Sequence, residues 1–242
     1  MDMQNCYAGQ INLFARPKPT PTNWILCQGQ CPMVKDHEVL FQAIGYTFGK
    51  QESPFGEAFK LPGIAPLNKV NYFINGQQGI DPQGTLGEIV LFCEDAVPEN
   101  WLKCDGQLLS IEDNLVLHEL IGGKFGHNGT SFALPNLPPP ADKTVYAMSS
   151  KGNLPYGGDV NSYKMEGTIA AVQWFPCDKN YEEGQWYLCN GQSLSIPENQ
   201  LLYSQIGDTY GGSGGSFCVP NMEGPAMGIN YIICAQGIMP QG

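Results

Sequence analysis

Four short motifs each occur three times, in the same order, along 242 residues. Gly9-Gln-Ile-Asn-Leu-Phe14 returns as Gly87-Glu-Ile-Val-Leu-Phe92 and, more loosely, as Gly167-Thr-Ile-Ala-Ala-Val172. A Trp-x-x-Cys-x-Gly-Gln motif begins at Trp24, Trp101 and Trp186 and carries Cys27, Cys104 and Cys189. Ile-Gly-x-x-(Phe/Tyr)-Gly follows at Ile44, Ile121 and Ile206, and Phe-x-(Leu/Val)-Pro at Phe59, Phe132 and Phe217. The opening glycines lie 78 and 80 residues apart. That period exceeds the roughly 20–50 residues of solenoid repeats, so the unit is a whole small module. Residues 1–84, 85–164 and 165–242 are the expected repeats. A module of about 80 residues makes only a modest core alone, so the three are expected to bury their apolar faces on one another. Near-equal lengths and short linkers predict a compact pseudo-threefold unit, a monomer with the shape of a trimer.

Charge narrows the function. Formal net charge is −11. Residues 1–86 hold 6 basic and 6 acidic side chains, residues 87–166 hold 5 and 11, and residues 167–242 hold 1 and 6. A nucleic-acid binder needs a basic footprint that is absent here. No run of about 18 apolar residues exists to insert in a membrane, and no basic-then-apolar leader precedes the first repeat. Hydrophobic residues make up 42% of the chain, too many for a disordered protein.

Of nine cysteines, Cys27, Cys104 and Cys189 share one repeated position. One such position per module gives no partner within the module, so these thiols read as small buried hydrophobes. Beside them, Trp24, Trp101 and Trp186 read as aromatic core anchors. No Cys-x-x-Cys occurs, which removes the zinc-ribbon and thioredoxin patterns. A disulfide among the six unrepeated cysteines stays open.

Each copy reads as mainly β with one short helix, an α+β module. Glu88 to Cys93 is a buried strand, and the following Gly-Gln pairs are turns with positive φ at glycine. Ser195-Ile-Pro-Glu198 has capping-box spacing, Ser110 with Asp113 imitates it, and Asp36 is the corresponding cap in the first copy. A helix of about ten residues is expected next, too short to stand alone, with Gly45, Gly122 and Gly207 as C-caps. Gly211-Gly-Ser-Gly-Gly215 lacks the Lys-(Ser/Thr) of a phosphate cradle. Val70 to Ile74, Thr144 to Met148 and Ile229 to Ile233 are the closing strands.

Repeat two carries Gly-Glu-Ile-x-Leu-Phe, Pro-x-x-Trp-x-x-Cys-Asp-Gly-Gln-Leu-Leu-Ser-Ile, Leu-Ile-Gly-x-x-Phe-Gly and Phe-x-Leu-Pro-Asn-Leu between Gly87 and Leu137. In these residues the chain resembles the phage tail collar family. Asn230 to Ile238 is similar to the end of its subgroup of microcystin-dependent proteins. The resemblance implies structural modules of tail fibres and surface appendages, often set about a threefold axis. It implies an extracellular, cell-surface or particle-borne location. The axial His-x-His metal site of some members has no match among His37, His118 and His127, so no metal and no cofactor are expected.

An enzyme would need a nucleophile, base and orienter, or a metal shell. Asp105, beside the repeated Cys104, is replaced by Gln28 and Asn190 in the other copies, so that carboxylate does not recur. The expected role is a non-enzymatic structural adaptor whose partner is another protein: a fibre, an appendage or a secreted adhesin component. A second reading is a receptor- or glycan-binding tip that uses the variable loops. Candidate contacts lie in the asymmetric parts of copy one: Arg16, Pro17, Lys18 and Pro19, which are basic and proline-stiffened, and Phe55 in a longer second loop.

Overall fold

The computed structural model describes residues 6–15, 23–79, 86–152, 170–175, 185–224 and 229–237. Arg16, Pro17, Lys18, Pro19, Gly167, Cys177, the linkers proposed between repeats and the closing Ile238 and Pro240 lie outside them. The expectation of a mainly β chain with a short helix per repeat is borne out. Every copy runs opening strand, second strand, 3-10 turn or tight turn, helix and closing strand, with a hairpin between helix and closing strand in repeats one and three and the single strand Ser131–Ala133, paired with Leu108–Ser110 ahead of the helix, in repeat two.

The opening strands are Gln10–Phe14, Ile89–Cys93 and Ala171–Phe175. Each pairs antiparallel with its own closing strand, Asn71–Asn75, Thr144–Ser149 or Asn230–Cys234. Each closing strand then pairs with its second strand, Trp24–Leu26, Trp101–Lys103 or Trp186–Leu188. These three arms form one nine-stranded sheet. They join because the opening strands also pair with one another. The end of the first strand meets the start of the third, Leu13 opposite Val172. The third meets the start of the second, Trp174 opposite Ile89. The end of the second returns to the start of the first, Phe92 opposite Gln10.

This register corrects the alignment of the third copy. The N–H groups of Gly9, Gly87 and Ala170 donate to Asn75 O, Ser149 O and Cys234 O at 3.0, 2.9 and 2.9 Å. Their φ angles are 82°, 81° and 67°. Ala170, not Gly167, therefore takes the glycine's place, and the third opening strand starts three residues later than the motif Gly167 to Val172 implies. An alanine hides the match because its left-handed backbone is a property of the fold rather than of the residue type.

Extended chain alternates sides, and the sheet uses both. One face carries Ile11, Leu13, Ile89, Leu91 and Val172 into a single apolar core drawn from all three repeats. The three helices cover this core with Leu40 and Ile44, Leu117 and Ile121, and Leu202 and Ile206. The opposite face holds three smaller clusters, one per repeat, around Trp24, Trp101 and Trp186.

The helices, Glu38–Ile44 (α1), Leu115–Ile121 (α2) and Gln200–Ile206 (α3), have seven residues each. Their N-caps are His37, Asn114 and Asn199, without side-chain cap bonds. Asp36 and the Ser110 and Ser195 capping boxes thus do not start them. Ser110 Oγ instead accepts from Asp113 N–H at 3.4 Å, inside the turn before α2. Asn114 and Asn199 donate their side-chain amides back to Ser110 O and Ser195 O, both at 3.1 Å. In these two copies the amide closes the preceding turn and does not cap the helix. At the other end, the N–H of Gly45, Gly122 and Gly207 donates to the carbonyl four residues earlier at 2.7, 2.7 and 2.8 Å.

Candidate functional site

Two kinds of place could carry function: where the repeats meet, and where they differ.

The repeats meet at seams built from equivalent residues. Lys143 Nζ of repeat two donates to Thr47 O of repeat one at 2.6 Å. Lys69 Nζ of repeat one donates to Thr209 O of repeat three at 3.1 Å. Lys69 and Lys143 occupy the same position, three residues before the closing-strand tyrosine, and share a left-handed φ of 67° and 59°. Thr47 and Thr209 likewise share the turn after the helix, where unsatisfied carbonyls attract a cation. Tyr210 OH adds bonds to Ala15 O and Lys69 O at 3.3 and 3.4 Å. Asn68 Nδ2 reaches Asn221 O at 2.7 Å.

Inside the ring of arms, the three closing strands bring Tyr72, Tyr146 and Tyr231 together. All three are buried, and Tyr72 hydrogen-bonds both of the others. Burial raises the Tyr72 hydroxyl above an ordinary phenol and pushes that of Tyr146 well above it. They are neutral hydrogen-bonding groups in an apolar core, satisfied by one another as buried hydroxyls must be. Sequence reasoning passed over these tyrosines and the seam lysines. The signal was present: tyrosine is the one side chain common to the middle of all three closing strands.

The repeated Trp and Cys are all buried, but in different places. Cys27, Cys104 and Cys189 enter the shared core, whereas the tryptophans lie in the clusters on the opposite face. They do not pack side by side as expected, because a spacing of three residues in extended chain points the side chains to opposite sides. Burial pushes all three thiols up, and Cys93 likewise to about 12, so the unreactive thiol form prevails. Gln30, Gln107 and Gln192 close the following turn, donating to Leu26 O, Lys103 O and Leu188 O at 2.5, 2.8 and 2.9 Å.

Repeat one differs most in its hairpin. Lys50–Ser53 pairs with Gly56–Phe59 across a Pro54-Phe55 turn. Its counterpart in repeat three needs only Gly212–Ser213 and Ser216–Cys218. There, Gly214 and Gly215 at φ 61° and 89° make the tight turn, which explains the glycine run without any phosphate. In repeat one Phe55 stands 80% exposed at the tip. The base is braced by Lys50 Nζ to Glu57 Oε1 at 2.8 Å and Tyr46 OH to Glu57 Oε2 at 3.0 Å. The Lys50 hydrogen bond, with that of Tyr46, holds the Glu57 carboxyl below its usual range.

His118 and His127 stack in repeat two with ring centroids 6.4 Å apart, while His37 precedes α1. Among the described residues, no three His, Cys, Asp or Glu side chains gather as a metal shell. No helix among them is long and apolar enough to cross a membrane.

A family model, the phage tail collar domain, matches residues 9–64, 87–139 and 170–227. The chain belongs to the phage tail collar domain family. The matched segments begin at Gly9, Gly87 and Ala170, the three positions that the strand register makes equivalent. No curated protein and no solved structure matches the chain. Collar domains are structural elements of the tail-fibre kind, so the chain is a tail-fibre-like structural protein with three tandem collar copies.

Proposed function

We infer that this three-collar protein is a non-enzymatic adaptor of a phage-tail-like particle or cell-surface appendage, docking onto a fibre or a secreted surface protein. Residues 1–84, 85–164 and 165–242 act as its three modules, and the whole is a pseudo-trimer in one chain. The observation that carries this reading is the closed cycle of opening strands, in which each strand's end pairs with the next strand's start. A cycle of that kind has the connectivity of a trimer, while a single chain lets each copy diverge.

Docking belongs to the parts that diverge. Repeat one is net neutral where the others are acidic, and it owns the exposed Phe55. Arg16, Pro17, Lys18 and Pro19 add a basic, stiff segment that loses little entropy on binding. Phe55 also favours a second reading, a receptor or glycan tip, since an exposed aromatic on a braced hairpin suits stacking against a sugar.

Affinity capture from intact particles or envelopes tests the docking assignment. The native chain is expected to retain a fibre or secreted surface protein. Grafting Asp95–Glu99 over Arg16–Pro21, and separately shortening Lys50–Gly56, is expected to weaken capture by roughly tenfold or more. Undiminished capture by both variants would place the dock elsewhere. A glycan-array signal that disappears in Phe55→Ser would select the second reading.

A further inference from the structure

Asparagine is followed by glycine at Asn75, Asn128 and Asn190. In such a pair the glycine nitrogen can close on the side-chain amide carbon, since no side chain on the second residue stands in the way. The fold treats the three pairs differently. Asn75 is buried, its Nδ2 donates to Tyr7 O and Gln77 O at 3.1 and 2.6 Å, and Gly76 N–H donates to Asn23 O at 2.8 Å. Asn190 is exposed, but Gly191 N–H donates to Pro220 O at 3.1 Å. In both pairs the nitrogen that would attack is committed to a backbone carbonyl, which is too weak a base to take its proton.

Asn128 stands apart. His127, Asn128, Gly129 and Thr130 are all exposed, in the loop between α2 and the strand Ser131–Ala133. Gly129 N–H donates to His127 Nδ1 at 3.3 Å. An imidazole nitrogen that accepts a hydrogen bond carries no proton, so it can take one. Oδ1 of Asn128 accepts from Ser131 N–H at 3.0 Å. That donor sits on the oxygen that gains charge when the amide carbon is attacked. Neither His127 nor Asn128 is required by the fold. Lys50 and Gly212 pair with Phe59 and Phe217 as His127 does with Phe132, and Ser213 follows Gly212 where Asn128 follows His127.

We propose that Asn128 is a self-modification site, which cyclises and deamidates with His127 as its base. His127 Nδ1 takes the Gly129 N–H proton as that nitrogen bonds to Asn128 Cγ. Ser131 N–H stabilises the oxyanion that forms on Oδ1. The Cγ–Nδ2 bond then breaks, the imidazolium gives its proton to the leaving nitrogen, and ammonia departs. Solvent water adds to either carbonyl carbon of the succinimide and opens the ring to aspartate or isoaspartate. In sum, an amide and a water become a carboxylate and an ammonium ion, with no change of oxidation state. The reaction needs no enzyme because all the reacting groups are held in one turn. It is irreversible and places a new negative charge next to His127, whose ring stacks on that of His118. In the isoaspartate form it also lengthens the backbone of the turn by one methylene.

The test incubates the full chain at neutral pH and follows each Asn-Gly pair by peptide mapping, with mass spectrometry that separates aspartate from isoaspartate. Asn128 is expected to convert roughly tenfold or more faster than Asn75 and Asn190. His127→Gln is expected to slow Asn128 by roughly tenfold and to leave thermal unfolding unchanged, since the other copies carry Lys50 and Gly212 in its place. Asn128→Ser, which borrows the residue of repeat three, is expected to remove the acidic product altogether. In urea the three pairs are expected to convert at similar rates, and His127→Gln to lose its effect. Conversion of Asn190 as fast as Asn128 in the folded chain, or an unchanged rate in His127→Gln, overturns the proposal. So does equal slowing by His127→Gln in urea, since the histidine then acts through the local sequence and not through the folded turn.

Discussion

Single residues set the sharpest constraints where the backbone or a buried atom leaves no alternative. Ala170 holds φ 67° in a place that glycine fills in the other copies. Ala170→Gly is expected to raise stability by up to about 1 kcal/mol, relieving a left-handed alanine, as read by urea denaturation. Cys104 is buried in the shared core. Cys104→Ser is expected to cost roughly 1–3 kcal/mol by placing a hydroxyl there, and the native thiol should label only on unfolding. The thiols also set an alkaline limit. Cys93 keeps its proton up to about 12 when folded, whereas an exposed thiol loses it near 8.5. Across that window the folded state binds more protons, so stability falls as pH rises. Cys27, Cys104, Cys189 and Tyr72 are raised for the same reason and add with the same sign. Chemical denaturation from neutral to alkaline pH should show that decline.

At the scale of elements, what a segment does depends on which neighbour it meets. The helices are too short to be stable by propensity, so their two inward residues decide whether they form. The hairpin of repeat one is different, because Phe55 at its tip is 80% exposed. Phe55→Ser is expected to change stability by no more than about 0.5 kcal/mol, so an effect on capture would report contact with a partner. The turn and strand motifs were legible in the sequence because glycine and proline act on adjacent residues. The capping boxes misled for an equally local reason: Asn114 and Asn199 take the cap positions and turn their amides backward.

For the whole molecule, the shared core and the seams make three modules one folding unit. Side chains of all three repeats occupy one cluster, so thermal unfolding should appear as one cooperative transition. Separate transitions for the repeats in calorimetry would contradict that. Lys143→Ala removes the bond from repeat two to Thr47 while keeping the left-handed backbone. It is expected to cost about 0.5–1.5 kcal/mol and to shift that single transition without splitting it.

By itself the sequence determined that there are three collar modules, that each is mainly β with one helix, and which tryptophans, cysteines and glycines recur. Those features arise from local chemistry: alternation in strands, helical spacing, and the backbone that a glycine permits. Only the tertiary structure decided that Ala170 opens the third copy, that Trp and Cys face opposite sides, and that three tyrosines meet in the core. It alone placed Lys69 and Lys143 at the seams and joined the opening strands end to start. These depend on pairing between segments roughly a module apart in sequence, where loop closure and shared burial choose the register and no neighbouring residue records the choice.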